Sequence, residues 1–305
     1  MQIRTGFANV DGSPEPVDLY YEDLGDPADP PVLLIMGLGA QLILWRDGFC
    51  RKLVERGLRV IRFDNRDVGL SSKLDGRRER TPLPWRMLRS FAGLPSPAVY
   101  TLEDMADDAA GLLDHLQIDA AHIVGASMGG MVAQVFAGRH AHRTRSLGVI
   151  FSSNNRPFLP PPGPRQLLSI ITGPAPDAPR DEVIENAVKV GRLNGSPAYP
   201  VPDEQLRADA ATAFDRSYHP VGVARQFDAI LGSGSLRRYN RRTTSPTVVI
   251  HGRADKLMRP TGGRAVARAI PGARLTLFDG MGHDLPEPLW DEIVAELDKN
   301  ITAGR

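Results

Sequence analysis

Three residues of this chain have the types and settings for acyl transfer: a serine, an aspartate and a histidine, each placed just after a short apolar run. Ser127 lies in Gly125-Ala126-Ser127-Met128-Gly129-Gly130, which follows Ala121-His122-Ile123-Val124 and opens a helical stretch. A Gly-x-Ser-x-Gly pentapeptide between strand and helix holds its serine on a strained turn, with the hydroxyl projected clear of the backbone. The glycines two before and two after have a steric reason, since a Cβ at either place would collide across the turn. The pentapeptide is short enough for chance to supply, so its weight comes from this setting and from partners elsewhere. Asp255 closes His251-Gly252-Arg253-Ala254-Asp255 after the apolar Thr247-Val248-Val249-Ile250, and His283 stands in Asp279-Gly280-Met281-Gly282-His283-Asp284 after the next apolar run. A serine hydroxyl becomes a nucleophile when a base takes its proton and an acid orients that base. Ser127, His283 and Asp255 are the candidates for these roles.

Each candidate has a competitor. Asp255 could cap the helix that follows it. His251 also ends a strand pattern, but it lies four residues before Asp255 and is expected to be a structural, hydrogen-bonded histidine. Asp279 and Asp284 flank the base, yet neighbours in sequence seldom reach each other's side chains in the required way. His115, His122, His140, His142 and His219 have no matching context and receive no role. The developing oxyanion needs two N–H donors. One is the backbone N–H of Met128, at the positive end of the helix; the other is expected from Leu38 in Met36-Gly37-Leu38-Gly39-Ala40. Leu38, Gly39 and Met128 are therefore expected to touch substrate. Gly37-x-Gly39 lacks the later glycine and the Gly-Lys-Ser/Thr of a phosphate-binding loop.

Short Val-, Ile- and Leu-rich runs alternate with helical patterns, which predicts an α/β fold whose mostly parallel sheet is buried on both faces. The strands are expected at 17–22, 32–36, 59–63, 121–124, 146–151, 247–250 and 274–278, and the helices at 45–56, 102–116, 131–139, 261–270 and 289–301. Thr101-Leu102-Glu103-Asp104 has the form of a capping box. Two stretches break the alternation. Residues 74–99, with Pro82, Pro84, Pro95 and Pro97, predict a loop holding at most a short helix. Residues 154–242 open on Arg156-Pro157-Phe158-Leu159-Pro160-Pro161-Pro162-Gly163-Pro164 and then read as several short helices, such as 181–190 and 203–215. Lying between two strands on the side of their C-termini, this insertion would cover the ligand crevice as a cap. The expected division is a core of 1–153 and 243–305 with a cap of 154–242. Trp85, Met87, Leu88, Phe91, Phe158, Leu159, Leu167, Leu168, Ile170 and Ile171 are the apolar residues from which an acyl pocket could be lined.

A chain of 305 residues with 42% hydrophobic content can bury a large core, and its formal net charge of +1 gives no general attraction for nucleic acid or an anionic membrane. The Arg-rich pieces 76–80 and 237–242 are expected to be solvated faces. A single cysteine, Cys50, excludes an intrachain disulfide and reads as core. No signal sequence and no membrane-length apolar run is visible, so a cytoplasmic protein is the expectation.

The combination of Leu33-Leu34-Ile35-Met36-Gly37-Leu38-Gly39, Asp64-Asn65-Arg66-Asp67-Val68-Gly69-Leu70-Ser71, the serine turn, the Asp255 turn and Gly280-Met281-Gly282-His283 resembles the α/β-hydrolase superfamily over nearly the whole chain. Within it the chain is similar to the bacterial esterase and lipase branch that includes the aclacinomycin methylesterases. The order Ser127, Asp255, His283 is that of the superfamily's triad. The resemblance implies a serine carboxylic-ester hydrolase acting through an acyl-enzyme on a small to medium, apolar, small-molecule ester, with no metal or organic cofactor. It also implies that Asp64 and Arg66 tie loops together beneath the site. A thioesterase or a cofactor-free perhydrolase would use the same triad, and a ligand receptor on this fold is a further alternative. Asp67 stands where the superfamily's common pattern has glycine, and the sequence offers no reason for it.

Overall fold

The computed structural model describes residues 3–304. Its strands are β1 (Ile3–Val10), β2 (Val17–Leu24), β3 (Pro31–Ile35), β4 (Arg59–Phe63), β5 (Ala121–Ala126), β6 (Thr144–Ile150), β7 (Thr247–Gly252) and β8 (Arg274–Phe278). The helices of the alternating part are α1 (Asp47–Val54), α2 (Leu83–Phe91), α3 (Leu102–His115) and α4 (Met128–Arg139). Between β6 and β7 come α5 (Pro164–Ile171), α6 (Arg180–Asn194), α7 (Asp203–Arg216), α8 (Pro220–Ser233) and the single turn α9 (Arg237–Asn240). The chain closes with α10 (Pro260–Ala269) and α11 (Trp290–Thr302). The eight strands form one sheet in the order β1-β2-β4-β3-β5-β6-β7-β8, in which β2 pairs antiparallel with β1 and β4 and all the other pairs are parallel. Seven of these strands coincide with the apolar runs. The eighth, β1, has no such run: Arg4, Thr5, Gly6 and Asn9 interrupt its apolar residues, and even Phe7 stays exposed on this edge strand.

Strand periodicity sends alternate side chains to opposite faces, and each face meets its own helices. From β3, Leu33 and Ile35 join a core with α3, α4 and α10, while Val32 and Leu34 join a second core with α1 and α11. Helix α4 lies under the middle of the sheet and is buried from Met128 to Gly138. The capping box forms as its sequence requires: the Thr101 side chain accepts the Asp104 N–H, and Asp104 accepts the Thr101 N–H at 2.7 Å. Cys50 lies wholly inside the second core, where burial pushes its thiol up to about 12. No described helix is long and apolar enough to cross a membrane.

Beneath the C-terminal ends of the strands lies a buried ion pair. Arg66, on the loop after β4, donates Nε and Nη2 to the two Asp108 carboxylate oxygens of α3, both at 2.6 Å, and Nη1 to Ser13 O at 2.6 Å. Its guanidinium also lies 5.0 Å from the centre of the Tyr100 ring. Neither member is appreciably exposed, so truncating one leaves the other buried without compensation. Asp108→Ala is expected to lower unfolding stability by about 3–5 kcal/mol, measured by urea denaturation; a loss under about 1 kcal/mol would show that the pair is not holding the loop to α3.

Candidate active site

Ser127 joins β5 to α4 at φ 56 and ψ −120, a left-handed backbone that a non-glycine residue adopts only when its surroundings impose it. The imposition is visible on every side. A Cβ on Gly125 would lie 2.1 Å from Gly129 O, and one on Gly129 would lie 2.1 Å from Ile35 O. Backbone and side chain then fasten the turn: Ser127 N–H donates to Ile150 O at 3.0 Å, and the Ser152 hydroxyl donates to Ser127 O at 2.6 Å. The strained turn thus sits over the C-terminal edge of the three central strands, with its serine only half buried.

Asp255 and His283 leave the same edge from β7 and β8. His283 Nε2 is 2.9 Å from Ser127 Oγ, and its Nδ1 is 2.8 Å from Asp255 Oδ2. The other carboxylate oxygen, Oδ1, accepts the N–H groups of Leu257 and Met258 at 2.9 and 2.8 Å. Asp255 therefore organises its own turn as well as facing the histidine, but it does not cap the following helix: α10 starts at Pro260 with Arg259 before it and has no side-chain cap. Burial by itself would raise the Asp255 pKa, but His283 and His251 on either side outweigh it and hold the group at about 2. His251 is fully buried, with Nε2 2.6 Å from Met258 O and 3.5 Å from Asp255 Oδ2, and lies away from the serine hydroxyl as a structural histidine. Asp279 is exposed and pairs with Arg253. Asp284 turns away from His283 toward the Ser196 hydroxyl, which donates to it.

Met128 opens α4 directly after the serine, so its N–H faces outward from the helix start. Leu38 follows Gly37, whose Cα packs so closely on the serine that a Cβ would lie 3.0 Å from Ser127 Cβ. Leu38, Gly39, Met128, Ser127 and His283 all line a cavity of about 1800 Å³ that opens between the sheet edge and α5–α8. Of the ten apolar residues named from sequence, Met87, Phe91, Leu159, Leu167 and Ile170 line it. Trp85, Leu88, Phe158, Leu168 and Ile171 instead point to solvent, on the outer sides of the same segments. Among the described residues, no group of three or more His, Cys, Asp or Glu is gathered about a point where a metal ion could sit.

The residues that sequence reasoning missed are those that tie the inserted helices to the reactive loops. On the histidine side, His283 N–H donates to Asn194 O at 2.8 Å, Gly282 N–H to Ser196 Oγ at 2.8 Å and Ala198 N–H to Gly280 O at 3.3 Å. On the other side, Gln41 Nε2 donates to Ala213 O and Ser217 O at 2.7 and 2.9 Å, and Arg216 pairs with Asp64. Asp64 also accepts the N–H groups of Leu42 and Leu70, which ties two loops together. Asp67 now has its explanation. It occupies a left-handed backbone position, φ 72, where glycine would be at ease, and uses its side chain as an anchor. Fully buried, it accepts Arg225 Nε and Nη2 at 2.8 and 2.6 Å, the Tyr100 hydroxyl at 2.8 Å and Leu74 N–H at 2.9 Å. Burial alone would raise its pKa, but these donors hold it below the usual carboxylate range. The loop-tying role of Asp64 was implied by the resemblance, but Tyr100 and Arg225 lie far from Asp67 in sequence and no motif announces them.

Comparison with known proteins shows the family to which this fold belongs. The family model described as alpha/beta hydrolase fold matches residues 30–193. Rhodomycin D methylesterase DnrP of Streptomyces peucetius is 30% identical, over 92% of this chain and 94% of that protein. A 2-hydroxy-6-oxononadienedioate/2-hydroxy-6-oxononatrienedioate hydrolase of Cupriavidus pinatubonensis is 25% identical, over 91% of this chain and 88% of its own. Among solved structures, the meta-cleavage product hydrolase CumD of Pseudomonas fluorescens IP01 superposes with a TM-score of 0.73, covering 97% of this chain and 98% of that one at 20% identity, a likeness of fold.

The depressed Asp255 pKa has a measurable consequence. Its folded value of about 2 lies below the about 3.9 of an unfolded chain. The stability it contributes is therefore whole above about pH 4 and is lost as pH falls through about 2. Asp255→Asn removes that titration, so the urea midpoint of the variant is expected to fall less steeply than that of the wild type across this interval. Parallel acid limbs would show that the buried carboxylate gains nothing from its histidines.

Proposed function

Because the chain belongs to the α/β-hydrolase family and is an ester hydrolase, we propose that Ser127, His283 and Asp255 form its triad, with residues 154–242 as a cap on a core of 1–153 and 243–305. The observation that carries this reading is the unbroken relay of 2.9 and 2.8 Å from serine hydroxyl to histidine to buried carboxylate, with Ser127 and His283 lining one cavity. Ser127 Oγ attacks the ester carbonyl while His283 Nε2 takes its proton. Asp255 holds Nδ1–H and stabilises the imidazolium that forms. The carbonyl oxygen, now negative, is received by the N–H groups of Leu38 and Met128. His283 then gives its proton to the leaving alcohol, and a water deprotonated by the same ring releases the acid and restores the serine.

The substrate class is a small-molecule ester with a bulky apolar acyl part. A cavity of about 1800 Å³ is larger than the roughly 300–1,000 Å³ of an ordinary ligand pocket, and the methylesterase relative acts, by its name, on rhodomycin D. A methyl ester of a large apolar acid fits both facts: the large acyl part fills the cavity, and only methanol has to leave.

Two measurements test the reading. Ser127→Ala is expected to lower kcat/KM for methyl and p-nitrophenyl esters by on the order of 10³-fold or more and to abolish labelling by a fluorophosphonate; turnover near that of the wild type in a folded variant would overturn it. Wild-type kcat/KM for methyl esters is expected to be at least about tenfold higher for a large apolar acid than for acetate, and a flat profile would overturn the assignment of the cavity to the acyl group.

A further inference from the structure

We infer that Gln226, a residue of α8 that does not touch the reacting atoms, is a positioning residue that fixes the direction of the Leu38 N–H toward the oxyanion. This rests on the reading above, in which Ser127 attacks and Leu38 supplies one of the two donors.

The Leu38 N–H belongs to the Gly37–Leu38 peptide. One end of that peptide is already held: Gly37 O accepts Ala40 N–H at 3.2 Å, and the Gly37 Cα is packed against Ser127. What the loop itself does not fix is the next peptide, Leu38–Gly39, because Gly39 sits at φ +66 and glycine has wide freedom on both sides of zero. Rotation there would carry Leu38 with it. Gln226 removes that freedom. Its Oε1 accepts Gly39 N–H at 2.8 Å, and its Nε2 donates to Arg66 O at 2.8 Å.

The bridge is rigid for three reasons. Gln226 is fully buried, so water offers neither Gly39 N–H nor Arg66 O a replacement partner. Turning its amide over would set N–H against N–H and oxygen against oxygen, so one orientation is fixed. Both ends are themselves anchored: Arg66 is paired with Asp108, and the neighbouring Arg225 of the same helix is clamped by Asp67. Val223, three residues earlier on α8, packs directly on the loop, since a Cβ on Gly39 would lie 3.0 Å from its Cγ1. Because Gly39 N–H is committed to Gln226, it is not a third donor to substrate. The oxyanion site keeps two.

The test compares Gln226→Met, which keeps the length and loses both hydrogen bonds, with Gln226→Glu, whose carboxyl, protonated in this buried place, keeps an oxygen facing Gly39 N–H and a hydroxyl facing Arg66 O. A misaimed donor acts on the transition state more than on bound substrate. Gln226→Met is therefore expected to lower kcat by about 10–100-fold with KM within about threefold. Its affinity for an alkylboronic acid, whose tetrahedral adduct places an oxygen in the same site, is expected to fall by the same factor as kcat/KM. Gln226→Glu is expected to stay within about threefold of wild-type kcat. A folded Gln226→Met with wild-type kcat, or with unchanged boronate affinity, would overturn the inference. Should Gln226→Met not fold, Gln226→Glu decides alone: a folded variant with kcat down tenfold or more overturns it. Ser127→Ala assayed alongside separates the two claims, because an active Ser127→Ala variant removes the nucleophile reading itself, whereas an inactive one beside an unimpaired Gln226→Met removes only the role of Gln226.

Discussion

Ser127 cannot relax out of its left-handed backbone without driving β5, α4 and the end of β3 apart. The missing Cβ atoms of Gly125 and Gly129 are what let α4 start against Ile35 O, so the strain at the serine and the close packing of the central layers are two aspects of one contact. The rest follows from that geometry. A helix beginning immediately after the serine puts Met128 N–H beside the hydroxyl, and the parallel neighbours of β5 deliver Leu38 on one side and, further along the sheet, Asp255 and His283 on the other. A parallel sheet concentrates these loops at one edge because every strand ends there.

Strands alone leave the loops at that edge free to move, and the inserted helices supply the missing restraint. Backbone and side-chain groups of 194–198 hold the histidine loop, while α7 and α8 hold the loop that carries Leu38. These contacts are hydrogen bonds to buried or half-buried groups, which are costly to leave unmade. The helices over the cavity are thus joined to the reactive machinery at both of its ends.

Much of this was legible in the residues themselves. Runs such as 59–63 and 274–278 are strands to the residue because they are apolar, short and bounded, and the candidate serine, aspartate and histidine could be picked out because each follows such a run. Edge strand β1 was not, since a strand with one neighbour and much of its surface in water needs no apolar signature. The fastening groups were not legible for a different reason. A glutamine in mid-helix gives no periodic or motif signal, and its partner Gly39 lies 187 residues away. Only half of the apolar residues that could have lined the pocket do so, because hydrophobicity does not tell which side of an α-helix in a thin layer meets the cavity: Met87 of α2 does, while Trp85 and Leu88 face water.

Asp67 and Arg225 also bear on how this sequence can change over generations. With glycine at 67, the guanidinium in α8 would lose its two-point carboxylate partner and keep only the more distant Asp75, at 3.8 Å; with an apolar residue at 225, the carboxylate would be left buried at a left-handed position that glycine fills more easily. Either single step passes through a damaged protein, while the joint replacement does not leave a charge stranded. The pair thus ties the identity of one residue after β4 to that of one in the helices between β6 and β7.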